Sequence, residues 1–194
     1  MHWRQRRMRR PDLHEPGAAH ALTFSCYRRF AFLRAERTCT WLADAINEAR
    51  QEHHFVLWAY VFMPDHVHLL IWPTRPDFSV SPVLKAIKQP VGTTAVAYLR
   101  KYDPEWLERI TVRQGRTIQR RFWQPGGGFD AVEKEPTIIL TMIEYIHNNP
   151  VRGALLVRPE DWKWSSAGWR LGKNGLVPDA IDFGGRTVCP HDRE

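Results

Sequence analysis

Cysteine is scarce in this chain: Cys26, Cys39 and Cys189 are the three among 194 residues, odd in number, far apart and without the paired spacing of a zinc site. That excludes a disulfide scaffold and suits a reducing compartment. Long apolar runs are lacking too. The two strongest, 55–63 and 67–72, are divided by Pro64-Asp65-His66 and are too short to cross a bilayer. The arginine-rich start is not followed by an apolar segment, so no signal peptide is expected. Acidic residues are in deficit, 21 against 28 basic ones, for a formal charge of +7 with the nine histidines uncounted. The glycine run Gly126-Gly127-Gly128 lacks the lysine and hydroxyl residue of a phosphate-binding loop and opens no helix at once, so it reads as a turn. There is no internal repeat.

What is present is enough apolar material for a core, 43% of residues with 12% aromatic. The basic surface suits a polyanion, because lysine and arginine contacts to phosphates release counterions. Arg4, Arg6, Arg7, Arg9 and Arg10 crowd the start of the chain, and Arg109, Arg113, Arg116, Arg120 and Arg121 form a second group. Trp3, Phe122 and Trp123 lie among them, an interleaving that suits base stacking on a nucleic-acid strand. The chain divides into a basic arm over 1–17, one domain over 18–170 and a glycine- and proline-rich tail over 171–194 with no clear element.

Within the domain, 20–27 predicts a strand and 37–52 an amphipathic helix through Trp41, Leu42, Ala45, Ile46 and Ala49. Residues 55–63 and 67–72 predict a hairpin turned at Pro64-Asp65. Ser79 or Ser81 is placed to cap a helix running toward Lys101, which Pro90 is expected to break into a short and a longer piece. Residues 117–123 predict a fourth strand. The order β-α-β-β-α-β is that of an α+β, ferredoxin-like sheet with both helices on one face, leaving the other face for a site. Pro136 opens a further helix that ends at His147 or Asn148, before Pro150. Its apolar stripe is Ile139, Met142, Ile143 and Ile146, with Tyr145 at the shoulder, looking outward.

Two short motifs carry chemistry. In Pro64-Asp65-His66-Val67-His68-Leu69-Leu70-Ile71-Trp72, strand alternation sends His66 and His68 to one side and Val67, Leu69 and Ile71 to the other, so two imidazoles stand close enough to share a metal ion. A bare His-x-His is more often an ordinary strand; the pairing with Glu144-Tyr145-Ile146-His147-Asn148-Asn149-Pro150, which supplies a nucleophile on a separate element, carries the argument. Tyrosine, with a pKa of about 10, is a poor nucleophile at neutral pH. Its phenolate suits phosphodiester attack when a metal ion withdraws charge from the phosphate, and the phosphotyrosine product keeps the bond energy for rejoining. Asn149, four residues beyond Tyr145, either gives a third ligand through its amide oxygen or, like Asn148, caps the helix. Asp65 reads as a turn residue rather than as a carboxylate orienting a histidine, His147 as a core or surface histidine, and Glu144 as solvated. Trp162 and Trp164 read as packing the terminal segment onto the domain.

Four segments in this order, Tyr60-Val61-Phe62-Met63-Pro64-Asp65-His66-Val67-His68-Leu69-Leu70, Arg121-Phe122-Trp123-Gln124, Tyr145-Ile146-His147-Asn148-Asn149-Pro150-Val151-Arg152 and Asp161-Trp162-Lys163-Trp164-Ser165-Ser166, resemble the single-tyrosine HUH transposases, and within them the REP-associated tyrosine transposases. The resemblance runs over 20–169. It implies a ferredoxin-like fold, a divalent ion, Mg²⁺ or Mn²⁺, on His66 and His68 with Asn149 completing the site, and Tyr145 as the nucleophile. It also implies single-stranded, hairpin-bearing DNA, cut to leave a 5′-phosphotyrosine and a free 3′-hydroxyl. The candidate DNA-contacting residues are Arg4, Arg6, Arg7, Arg120, Arg121, Trp123 and Arg152. A cytoplasmic, nucleoid-associated protein with no membrane partner is expected, either a monomer with its tyrosine in cis or a homodimer. Rival readings are a replication initiator or relaxase, a domesticated hairpin-binding protein that no longer cuts, and a metal-free ferredoxin-like RNA-binding module.

Overall fold

Two apolar-rich segments on either side of Pro64-Asp65 build the centre of the fold. In the computed structural model, which describes residues 17–126, 128, 131–171, 176–182 and 187–188, they form β2 (Phe55–Phe62) and β3 (His66–Pro73), an antiparallel hairpin closed by Met63 N–H donating to the His66 carbonyl. β1 (Ala19–Ser25) pairs antiparallel with the far side of β3, and α1 (Glu36–His53) connects β1 to β2. Arg4, Arg6, Arg7 and Trp3 lie outside the described residues.

The fourth strand is not where the sequence places it. β6 (Ala131–Glu133) pairs with β1 and completes the sheet order β2-β3-β1-β6, all antiparallel, which is the ferredoxin-like arrangement. The expected segment instead forms β5 (Thr117–Arg120), paired with β4 (Thr111–Gln114) in a separate hairpin. Every residue of β5 is exposed. Ile118 is its lone apolar side chain, so it has nothing to bury against a sheet covered on both faces.

Strand parity divides the apolar side chains between two cores. Leu22, Phe24, Leu57, Tyr60, Phe62, Val67, Leu69 and Ile71 face α1 and α2 (Val80–Tyr102). Ala19, Ala21, Ala59, Val61 and Leu70 face α4 (Pro136–His147), which buries Ile139, Ile143 and Ile146. Each isoleucine so buried contributes about 1.5–3 kcal/mol relative to exposure. A bulge in β2 makes this division possible: the register shifts between Leu57 and Ala59, so Trp58 and Ala59 both join the α4 side. The two connecting helices share one face as expected, and the later helix closes the other.

α2 runs unbroken through Pro90, against the expected break. Pro90 stands on the exposed side, while Val83, Ile87, Val91 and Ala95 are buried at helical spacing, and their packing offsets one lost backbone hydrogen bond. Ser79 occupies the N-cap position without a capping hydrogen bond from its side chain. Residues 162–164 and, from the tail, Asp179 cover the open edge of β2. Phe62 N–H donates to the Trp164 carbonyl (2.8 Å), Trp162 Nε1 to the Phe62 carbonyl (2.9 Å), and Leu57 N–H to Asp179 Oδ2 (2.7 Å). Trp162 and Trp164 thus pack the segment onto the domain, as the sequence predicts. The tail also holds one short pairing, β7 (Ile181–Asp182) with β8 (Thr187–Val188), where no element is expected.

Replacing Pro90 by Ala restores a backbone donor on an exposed helical turn. The net effect expected is a gain of about 1–2 kcal/mol, the helix-propensity gain less the greater freedom of the unfolded chain. A urea titration that shows no rise in midpoint refutes it.

Candidate active site

The register of β1 against β3 sets Thr23 opposite His68 and Ser25 opposite His66. Both histidines share strand parity with Leu70, on the α4 side of the sheet. Their rings meet edge to face with centroids 4.9 Å apart. His68 is buried, and its Nδ1 lies 2.6 Å from the Thr23 hydroxyl. His66 Nδ1 lies 2.6 Å from Asp65 Oδ1. A carboxylate only accepts, so Nδ1 of His66 carries the proton and, in the neutral ring, Nε2 carries the lone pair. The Thr23 hydroxyl, which can accept from Nδ1, allows His68 the same tautomer.

Asp65 is therefore more than a turn residue, contrary to the sequence reading. Its second oxygen is held by Arg29 Nε at 2.7 Å, and Arg29 also donates to Ser25 Oγ at 2.9 Å. Arg28 and Arg29 have φ of 52° and 59°. This left-handed backbone costs about 1–2 kcal/mol per non-glycine residue, and the turn that makes it directs Arg29 back over Asp65.

Tyr145 sits at the shoulder of α4 as its helical spacing dictates, but the half-buried ring faces the sheet rather than looking outward. Its centroid is 6.0 Å from that of His68, nearly perpendicular. The Arg152 guanidinium, on α5 (Asn149–Arg152), lies 4.7 Å from the Tyr145 ring centroid. Thr23, His68, Met142, Tyr145 and Ile146 line a narrow cleft there. Asn149 Nδ2 donates to the Tyr145 carbonyl (2.8 Å) and Asn148 Nδ2 to the Glu144 carbonyl (2.9 Å), so both asparagines cap the helix end. Capping through nitrogen leaves the Asn149 amide oxygen outside the cap hydrogen bonds. His147 is a core histidine, buried and 2.8 Å from Ser166 Oγ, and Glu144 is exposed.

Among the described residues, no group of three or more His, Cys, Asp or Glu side chains gathers into a metal-binding cluster. The donors implied by the family resemblance are two imidazoles and one amide oxygen. Such a set fits a divalent ion that keeps water and phosphate oxygens in its shell. Cys26 and Cys39 compete for no role here: both are buried, and desolvation pushes each thiol up to about 12.

The expected stacking surface is absent from the place the sequence suggests. Phe122 and Trp123 are 4% and 8% exposed. Trp123 Nε1 donates to the Lys88 carbonyl at 2.9 Å, and its ring meets Phe24 edge-on, so both residues are core. Arg120 and Arg152 are exposed, while Arg121 holds Gln119 Oε1 through two nitrogens (2.8 and 3.1 Å). Sequence reasoning missed Thr23 and Arg29. Thr23 and Ser25 do alternate as polar residues in an apolar strand, but their partners depend on register.

The sequence model of the family described as Transposase IS200 like matches residues 17–149. A protein of Haemophilus influenzae named as a REP-associated tyrosine transposase is 26% identical over 144 residues, 71% of this chain and 77% of that protein. A solved structure of a REP-associated tyrosine transposase bound to a REP hairpin superposes with a TM-score of 0.64 at 18% identity, covering 92% of this chain and 94% of that one.

The helix carrying Tyr145 is held at its start by Glu135, whose carboxylate accepts from Thr137 N–H (3.1 Å) and Ile138 N–H (2.8 Å). These bonds, Thr137 first, lower its pKa. A carboxylate depressed in the folded state contributes stability that is present above its unfolded value of about 4.3 and is lost as pH falls through the folded value. Glu135→Gln is therefore expected to unfold at lower urea than the parent at neutral pH, with the gap closing progressively in acid. A gap independent of pH overturns the charged cap.

Proposed function

The chain belongs to the IS200-like transposase family, and on that footing we propose that it cleaves and rejoins single-stranded DNA beside a hairpin, using Tyr145 as nucleophile and His66, His68 and Asn149 to hold a divalent metal ion. One observation carries the reading: the tyrosine of α4 lies against the histidine pair of β3 within a single chain, at 6.0 Å between the rings of Tyr145 and His68. The hairpin partner is supported by the solved relative, which is bound to a REP hairpin.

When bound, a divalent ion supplies Lewis-acid polarisation of the scissile phosphate. The protein's own groups do the rest. Asp65 and Thr23 fix the two imidazoles through Nδ1, so Nε2 of each is aimed as a ligand. The Tyr145 hydroxyl gives up its proton to solvent, its oxygen attacks phosphorus, a phosphorus–oxygen bond to tyrosine forms, and the bond to the 3′-oxygen breaks. That oxygen takes up a proton and leaves as a free 3′-hydroxyl. Arg152 sets a permanent positive charge beside the ring, which favours the phenolate before attack and again when Tyr145 is the leaving group on rejoining. Attack by the 3′-hydroxyl of another end reverses the step and rejoins the strand. On this reading one chain, with its tyrosine in cis, carries out cleavage, and a DNA substrate supports a cytoplasmic, nucleoid-associated protein. No helix among the described residues is long and apolar enough to cross a membrane.

Incubation with labelled hairpin DNA and Mn²⁺ is expected to give a covalent adduct that maps to Tyr145 and is abolished by chelator. Tyr145→Phe is expected to keep DNA affinity and lose the adduct; cleavage by this variant refutes the nucleophile. Hairpin binding by the parent with no adduct under Mn²⁺ or Mg²⁺ favours the non-cleaving binder. Asp65→Ala and Thr23→Val are expected to weaken Mn²⁺ binding about 10–100-fold, read by electron paramagnetic resonance of the free ion without DNA. Unchanged affinity in both removes the metal from the histidine pair.

A further inference from the structure

Tyr145 and His147 stand on opposite shoulders of α4. Each is one residue from Ile146, so at about 100° per residue they flank the buried stripe of Ile139, Ile143 and Ile146 on either side. The Tyr145 shoulder lies over His68 of β3, in the cleft that Thr23 of β1 also lines. The His147 shoulder faces the other way, toward β2, the edge strand of the sheet.

On that side the helix is tied to the sheet by a hydrogen bond. His147 Nε2 lies 2.8 Å from Ser166 Oγ, and the same oxygen accepts from Tyr60 N–H (3.0 Å) and lies 3.2 Å from the Tyr60 carbonyl. A serine oxygen has two lone pairs and one hydrogen, and these three contacts use them in full when His147 Nε2–H and Tyr60 N–H donate and the Tyr60 carbonyl accepts. Ser166 is fully buried and His147 is 9% exposed, so water does not compete for the bond. The anchor is itself fixed without the helix: Ser165 bridges to Val61, and Phe62 N–H donates to the Trp164 carbonyl.

The isoleucine stripe holds α4 against the sheet, but apolar burial has no direction and tolerates a roll of the helix about its axis. A hydrogen bond has direction and does not. At a side-chain radius of about 6 Å, a roll of about 10° shifts the Tyr145 side chain by about 1 Å. A misplacement of about 1 Å costs as much as 10²-fold in a reaction that needs in-line attack. The bonds of Asn148 and Asn149 at the helix end return to α4's own carbonyls, so they set no roll relative to the sheet.

Resting on the reading of Tyr145 as the strand-transfer nucleophile, we propose that His147 and Ser166 are positioning residues for the cleavage step: their hydrogen bond fixes the roll of α4 from one shoulder and so holds the phenol on the other shoulder over His68. Neither touches the DNA or the metal.

The test is the single-turnover rate of adduct formation at saturating Mn²⁺ and hairpin DNA, for the parent, His147→Leu, His147→Gln and Ser166→Ala. Hairpin affinity is read by fluorescence anisotropy, Mn²⁺ affinity by electron paramagnetic resonance of the free ion, and folding by circular dichroism melts. His147→Leu and Ser166→Ala are expected to form the adduct about 10–100-fold more slowly, with both affinities within about twofold of the parent. His147→Gln, whose amide nitrogen reaches the place of Nε2, is expected to restore the rate to within about threefold. The double variant is expected to be no slower than the slower single, because the two side chains act as one unit. If His147→Leu does not fold, Ser166→Ala, which loses one oxygen, carries the comparison. Rates equal to the parent's overturn the positioning role, as does a rate loss matched by an equal loss of Mn²⁺ affinity. A His147→Gln rate as low as that of His147→Leu overturns the hydrogen bond as its basis. Variants that match an active parent leave Tyr145 standing as nucleophile; a parent that forms no adduct removes both readings.

Discussion

The pairing of β1 with β3, in the register that sets Thr23 across from His68 and Ser25 across from His66, is the constraint on which the candidate site depends. A slip of one residue would turn both imidazoles into the apolar core under α1 and α2, and Val67, Leu69 and Ile71 out of it. Register is held against such a slip because the burial of those three side chains would be lost. The site geometry thus borrows its precision from the core on the other side of the strand. The same pairing brings Arg29, just beyond β1, onto Asp65, just before β3.

Covering both faces of the sheet creates the second requirement. A sheet with α1 and α2 on one side needs one packed face, yet here the other is also apolar through Ala19, Ala21, Val61 and Leu70 and is closed by α4. That packing carries Tyr145 down onto the histidine face and sinks His68 into the interior. A buried imidazole needs its polar atoms satisfied, and Thr23 does this for Nδ1. Helix position and ring orientation are then coupled. The Asn149 cap fixes where α4 ends and hence where Arg152 begins its turn beside the tyrosine.

Charge and chemistry occupy opposite sides of one sheet. The α4 side holds two imidazoles, a phenol, the Asp65–Arg29 pair and Arg152, while a groove along α2 is lined by cations without a carboxylate. Pro90 lies within the long α2, which tolerates it because one apolar stripe is buried along its length.

The periodicities alone determined much of this protein. Alternation in 66–72 assigned the histidines to one face, the spacing of Ile139, Ile143 and Ile146 put Tyr145 at a helix shoulder, and Pro136 and Pro150 marked the helix limits. These are local rules, set by neighbours along the chain. The family motifs added the roles of His66, His68, Tyr145 and Asn149, which periodicity could not supply. What lay beyond local rules was decided by packing. Residues 131–133 became the fourth strand on the free edge of β1, whereas 117–120, exposed along its length, paired with β4. Phe122 and Trp123 went inward, where their rings pack on Phe32 and Phe24 in the core under α2. Thr23, Arg29 and the α2 groove depend on residues far apart in sequence, and strand register and helix packing brought them together because only the folded chain balances every apolar face at once.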